Sequence, residues 1–279
     1  MEILLAKSAG FCFGVTRAIK LASETASEAA RISSLGPIIH SPQLVAKLAE
    51  QGVDIVDTVE EIDTTAVIIR SHGASADEVE RIRKRGLDIV DATCPFVKKA
   101  QEDAALLSRE GYTVVVVGEA EHPEVQGIVS YAAAGQVHVV ANRQQAGALP
   151  RLARVGIVAQ TTQSLQNLQQ VAAACLPRCS ELRVFNTICD ATKVRQDEAR
   201  EIAGQVDLML VIGGFNSANT TRLARICHEI QPRTFHIETA EQVEGSWLDG
   251  VDRVGVTAGA STPRWLIEEV IARVNLLTK

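Results

Sequence analysis

The sequence predicts an α/β protein: three related α/β units, each with a mostly parallel sheet, around a central metal cluster. Three observations predict it. The strongly apolar runs are unbroken rather than alternating, which means burial on both faces, as in parallel sheets covered by helices. These runs alternate with polar loops and helix-period stretches, the pattern of βαβ units with right-handed crossovers. Finally, Cys12, Cys94 and Cys189 are each followed 28 residues later by His40, His122 and Ser217, and 24 residues later by Gly36, Gly118 and Gly213. A register kept three times is an internal repeat. The unit boundaries come from that repeat: 13–94, 95–187, and 188–279 joined by 1–12.

Along the chain, Val15, Ala18, Ile19, Ala22 and Ala26 recur at helical spacing after Cys12. Ser41-Pro42 predicts a helix start with proline in the first turn, and Gly52 a left-handed stop. AVII at 66–69 reads as a strand, Ser75 as an N-cap and Gly86 as the next stop. The basic run Arg81, Arg83, Lys84, Arg85 reads as a last helical turn complementing the helix dipole. Cys94-Pro95 opens a helix that Gly111 closes, and TVVVV at 113–117 is a strand. Asn142 reads as a cap. GIVA at 156–159, LMLVI at 208–212 and VGV at 254–256 are strands, and Thr262-Pro263 opens a final helix.

Composition excludes several functions. The 279 residues carry 28 basic and 34 acidic side chains, a net charge of −6, and only 4% aromatics. That argues against nucleic acid as a partner, since neither a basic face nor stacking surface is supplied. The longest apolar runs are far too short to span a membrane, and the opening MEILLAKSAG has no secretory leader. A cytoplasmic protein is expected, with reduced cysteines acting as ligands, nucleophiles or core.

Of six cysteines, Cys175, Cys179 and Cys227 read as small hydrophobes within helical stretches. Cys12, Cys94 and Cys189 share one register in loops before helices, and three thiolates meeting at a centre suggest a metal. A structural zinc site would normally take four protein ligands, often as CxxC pairs, and none occurs. Three cysteines can instead hold one [4Fe–4S] cluster and leave one iron open. Such an iron polarises a substrate oxygen and delivers electrons to it.

The strand-end loops RSHGAS, GEAEHPE, AQTTQS, GGFNSANT and TAGAST are small, polar or histidine-bearing. Loops beyond the carboxyl ends of parallel strands are where α/β sheets bind ligands. Their His, Ser, Thr and Asn donors at helix starts suit phosphate. Neither GxGxxG nor GxxxxGK[ST] occurs, so no nucleotide fingerprint accompanies them. Glu124, two residues after His122, reads either as a solvated first-turn acid or as a proton donor facing the metal. Two other functions fit parts of this pattern: a metal-free anion-binding module, and a zinc hydrolase using His40, His72 and His122. Neither explains the cysteine register.

The stretches GFCFGV, IIHSPQ, RSHGAS, DATCPFV, EHPEVQG, AQTTQS, TICDAT, NSANT and VTAGAS, spread over nearly the whole chain, resemble the 4-hydroxy-3-methylbut-2-enyl diphosphate reductase (IspH/LytB) family. The resemblance implies a trefoil of three α/β units around a [4Fe–4S] cluster held by Cys12, Cys94 and Cys189. It implies that His40, His72, His122, Ser217, Asn219 and Ser261 hold a diphosphate. It further implies that Glu124 relays protons, with His122 beside it, and that Thr161 orients the substrate hydroxyl. The expected reaction is reductive dehydroxylation to isopentenyl and dimethylallyl diphosphate, the last step of the non-mevalonate pathway. An electron donor such as ferredoxin or flavodoxin is expected, and an assembly no larger than a weak homodimer. Ala218 departs from relatives with serine there, which leaves only a backbone contact at that position.

Overall fold

The computed structural model describes residues 1–29, 31–132 and 136–278; Lys279, the far bound of the third expected unit, lies outside them. In chain order the first strands and helices are β1 (Glu2–Leu5), α1 (Phe13–Ala29), β2 (Ile32–Leu35), α2 (Pro42–Ala49), β3 (Val53–Val56), β4 (Ala66–Ile69), α3 (Ala76–Lys84) and β5 (Asp88–Asp91). The middle of the chain forms α4 (Pro95–Arg109), β6 (Thr113–Val117), α5 (Pro123–Ser130), β7 (Val137–Val140), α6 (Arg143–Gly147), β8 (Leu152–Ala159), α7 (Leu165–Cys175) and β9 (Cys179–Val184). The remainder forms α8 (Asp190–Ala203), β10 (Leu208–Ile212), α9 (Ala218–Ile230), β11 (Thr234–Ile237), β12 (Arg253–Ala258) and α10 (Arg264–Leu277).

The twelve strands form three four-stranded sheets in which all pairings are parallel. Their orders are β3-β2-β4-β5, β7-β6-β8-β9 and β11-β10-β12-β1. Each is one pattern: second, first, third, fourth. In the last sheet the fourth place is taken by the N-terminal strand, with Glu2 opposite Arg253. In such an order the first and third strands are neighbours whose connections leave toward opposite sides. The crevice beyond their carboxyl ends is the topological switch point, where ligands bind.

Packing follows the sequence pattern. Val114 to Val117 and Leu208 to Ile212 are fully buried, as unbroken apolar runs require. Glycine enters two central strands to admit a helix. A Cβ at Gly156 would lie 2.6 Å from Leu107, and one at Gly255 would lie 2.8 Å from Ile202. Leu107 follows Cys94 by thirteen residues and Ile202 follows Cys189 by thirteen, so the repeat extends to the core. Asn142 and Ser75 cap their helices, the latter in a full capping box with Glu78. Gly52, Gly86 and Gly111 have the positive φ of helix stops.

Three expectations are corrected. Pro263 is the N-cap of α10 rather than its first helical residue. Cys179 opens β9 instead of ending a helix. And β8 begins at Leu152, four residues before the expected strand, because its first residues alternate between part-buried and exposed.

Contacts divide the chain into two compact units. One comprises Met1–Thr16, His40–Ala46 and Asp190–Lys279, with the β10 sheet; the other comprises Arg17–Ile39 and Lys47–Cys189, with the β2 and β6 sheets. Among the described residues, no helix is long and apolar enough to cross a membrane.

Candidate functional site

The three register cysteines are held by one repeated hydrogen bond. Cys94 N–H donates to Ser71 O at 2.9 Å, Cys189 N–H to Thr161 O at 3.0 Å and Cys12 N–H to Ala260 O at 3.2 Å. Each acceptor lies two residues beyond the last residue of β4, β8 or β12. The repeated glycines are equivalent too: Gly36, Gly118 and Gly213 N–H donate to the last residues of β3, β7 and β11. Gly213 has φ +141°, and a Cβ there would lie 2.5 Å from Thr262 Oγ1. All three register cysteines are half-buried.

The other cysteines differ chemically. Burial raises the Cys175 and Cys179 thiols and pushes Cys227 up to about 12, which disfavours the thiolate that metals need.

At the switch point of the β6 sheet, Glu124 and Thr161 meet. Glu124 is 1% exposed in the first turn of α5, so it is not the solvated helix acid. Its Oε1 accepts Thr161 N–H at 2.6 Å, and its Oε2 accepts the Thr161 hydroxyl at 2.9 Å. Thr161 therefore carries Glu124 on its donors and Cys189 on its carbonyl. His122 caps α5: its Nδ1 accepts Glu124 N–H at 3.1 Å, so a neutral ring keeps its proton on Nε2. The His72 ring stands edge-on to His122, with centroids 5.5 Å apart. Gln160, which the sequence reading passed over, is fully buried beside them and accepts Glu119 N–H through Oε1.

At the switch point of the β10 sheet, Ser217 caps α9 by accepting Thr220 N–H, which leaves its hydroxyl proton to give. The Asn219 amide is 5% exposed, and neither its nitrogen nor its oxygen has a hydrogen-bond partner among the described residues. Buried polar atoms rarely stay unmatched, and an orphaned amide here is what a polar ligand would satisfy. The Ser261 hydroxyl donates to His40 O at 3.0 Å, bringing those two candidates together. His40 precedes the start of α2 by two residues, whereas His122 and Ser217 are themselves N-caps, so the 28-residue register slips by one in the first repeat. His236 bonds Gly213 O through Nε2 at 2.8 Å and props this loop from β11.

The candidate residues thus comprise three thiols, a buried acid with a hydroxyl partner, and several neutral donors, one of them an orphaned amide. Comparisons with known proteins point to one family. A family model described as LytB protein matches residues 3–275. The 4-hydroxy-3-methylbut-2-enyl diphosphate reductase of Syntrophotalea carbinolica is 62% identical over 279 residues, covering all of both chains. Its counterpart in Geobacter sulfurreducens is 61% identical, over 99% of this chain and 97% of that one. Among solved structures, (E)-4-hydroxy-3-methyl-but-2-enyl diphosphate reductase, the terminal enzyme of the non-mevalonate pathway, superposes with TM-score 0.71 at 47% identity, over 99% of this chain and 100% of that one. The E-1-hydroxy-2-methyl-but-2-enyl-4-diphosphate reductase from Plasmodium falciparum superposes with TM-score 0.91 at 26% identity, over 100% and 88%.

Proposed function

The chain belongs to the LytB family, and on that premise we propose that it reductively dehydroxylates (E)-4-hydroxy-3-methylbut-2-enyl diphosphate. Two electrons and two protons enter, the allylic C–O bond breaks, and water leaves with isopentenyl or dimethylallyl diphosphate. The observation that carries this reading is the buried Glu124 bonded twice to Thr161 at a switch point.

The donor set fits a [4Fe–4S] cluster. Cys12, Cys94 and Cys189 are tied to equivalent carbonyls by one repeated bond, while burial disfavours the thiolate at the remaining cysteines. Bound by these three, the cluster would supply electrons and an open Lewis-acid iron for the substrate oxygen.

The chain's own residues do the rest. Glu124 holds a proton at a carboxyl oxygen and passes it toward the substrate through the Thr161 hydroxyl, which can accept one proton as it gives another. His122 presents Nε2–H to the diphosphate, and His72 and His40 add ring donors. Ser217 donates its hydroxyl proton, and Asn219 fills its unmet hydrogen bonds on phosphate oxygens. Ser261 joins them by turning its hydroxyl from His40 O to the ligand. A di-anion is then bound largely by neutral groups and helix N-termini, consistent with the scarcity of lysine and arginine in these loops.

The shared strand order, with β1 completing the β10 sheet, supports three units at 13–94, 95–187 and 188–279 plus 1–12. A small acidic redox protein such as ferredoxin or flavodoxin suits the role of electron donor. The deciding experiment is anaerobic purification with iron and sulfide analysis, followed by turnover with a chemical reductant. Four irons and four sulfides per chain with product formation are expected; zinc without sulfide, or a loaded protein inert toward the substrate, overturns the reading.

A further inference from the structure

Two arginines outside the described site grip the loops that deliver two of the thiols. Arg195, on α8 and 3% exposed, donates through Nη2 to Ser8 O at 2.7 Å and Gly10 O at 2.8 Å, just ahead of Cys12. One turn along the same helix, Glu198 accepts Lys7 N–H at 2.6 Å and Ser8 N–H at 2.9 Å. The loop before Cys12 therefore has its carbonyls on a cation and its amides on an anion. Arg17, on α1, does the same for Cys94: Nη1 donates to Thr93 O and Nη2 to Asp91 O, both at 3.1 Å. There Asp91 accepts Thr93 N–H at 2.9 Å and pairs with Lys98.

The third loop is held differently. Asn186 stands three residues before Cys189, as Asp91 stands before Cys94, and accepts Ile188 N–H at 3.3 Å. Thr187 Oγ1 accepts Ala159 N–H at 2.8 Å and donates to Ala159 O at 2.5 Å. These partners are neutral. Hydrogen bonds with one ionised partner are roughly twice as strong as neutral ones.

We propose that Arg17 and Arg195 are positioning residues that pre-set the Cys94 and Cys12 thiolates for loading of the cluster. This rests on the cluster reading above. The mechanism is preorganisation: a loop fixed in advance gives up less entropy when its ligand binds. The fork geometry matters, because a guanidinium spans two carbonyls whereas an ammonium meets them as a point charge.

Two measurements test it. The first uses amide hydrogen exchange on cluster-free wild type, Arg17→Gln and Arg195→Gln. The Cys94 amide in Arg17→Gln and the Cys12 amide in Arg195→Gln should exchange at least about tenfold faster than in wild type, as local opening of a charged clamp is rarer; wild-type rates in both variants overturn the proposal. The second compares Arg17→Gln, Arg17→Lys, Arg195→Gln and Arg195→Lys after anaerobic reconstitution, following iron loss to a ferrous chelator. Loss should be about 10-fold faster or more in the glutamine and lysine variants alike, the usual scale for residues supporting metal ligands. Wild-type release rates in the glutamine variants, or full rescue by lysine, overturn the fork role. A wild-type protein that takes up no iron and sulfide instead sinks the cluster reading, and the exchange experiment then judges the clamps alone.

Discussion

Glu124 takes both donors of Thr161, the main-chain N–H on one carboxyl oxygen and the hydroxyl on the other, across 37 residues of sequence. Glu124→Gln keeps one carbonyl oxygen for the N–H and lets the hydroxyl reverse to accept the new amide. The fold should survive, while turnover falls about 10²–10⁴-fold, the usual scale for removing a general acid. Steady-state assays alongside thermal unfolding check this; retained turnover removes Glu124 from the proton path.

His122 has two separable jobs. His122→Ala removes both the cap on Glu124 N–H and the Nε2–H donor, and should cost about 1 kcal/mol of stability together with substrate affinity. His122→Asn restores a capping oxygen and should recover the stability while KM stays raised. Denaturant unfolding and steady-state kinetics on the two variants separate these effects.

The orphaned Asn219 amide predicts opposite effects with and without ligand. An unmet buried polar group costs about 1–3 kcal/mol, so Asn219→Ala should leave the ligand-free protein as stable or more so. Inorganic diphosphate at about 100 times its Kd should stabilise wild type by about 2.7 kcal/mol and the variant by less. Thermal shift with and without diphosphate measures both.

Single serine replacements of Cys12, Cys94 and Cys189 should each lose most of the bound iron, whereas Cys175→Ala should load normally. Iron analysis after reconstitution decides it, and cluster loss in the Cys175 variant would overturn the ligand assignment. Cys227, held near 12 by burial, should resist alkylation in the native protein.

Glu198 gives a pH signature. Burial raises it, but the Ser8 hydroxyl and the amides of Ser8 and Lys7 outweigh that and hold it below the usual 4.5. A depressed folded-state value means its stabilisation is fully present above about 4.5 and is lost as pH falls through the folded value. Wild type should exceed Glu198→Gln in stability at pH 7, with the gap closing in acid. Unfolding midpoints across pH 3 to 7 test the sign.

The central strands were legible because nothing interrupts their apolar runs: β4, β6 and β10 coincide with 66–69, 113–117 and 208–212. β2 was not, because Ser33 and Ser34 sit fully buried in it, satisfied by Thr64 and Gly36 O. β5, β7 and β9 were hidden by their half-exposed edges. In the site, spacing pointed to the thiols and strand-end position to the polar loops, while Glu124 was legible only as a solvated acid or a proton donor. Its burial and its bond to Thr161 depend on the pairing of β6 with β8, which no spacing records. Arg17 and Arg195 look like ordinary helix charges until their carbonyl partners, 74 to 76 and 185 to 187 residues away, are known.

The place of β1 beside β12 has a consequence for biosynthesis. β1 has its only sheet neighbour, among the described residues, about 250 residues downstream, and Cys12 N–H must wait for Ala260 O. At about 5–20 residues per second, that delay is roughly 12–50 s. Of the three register cysteines, the first in the chain is thus the last to gain its anchoring carbonyl.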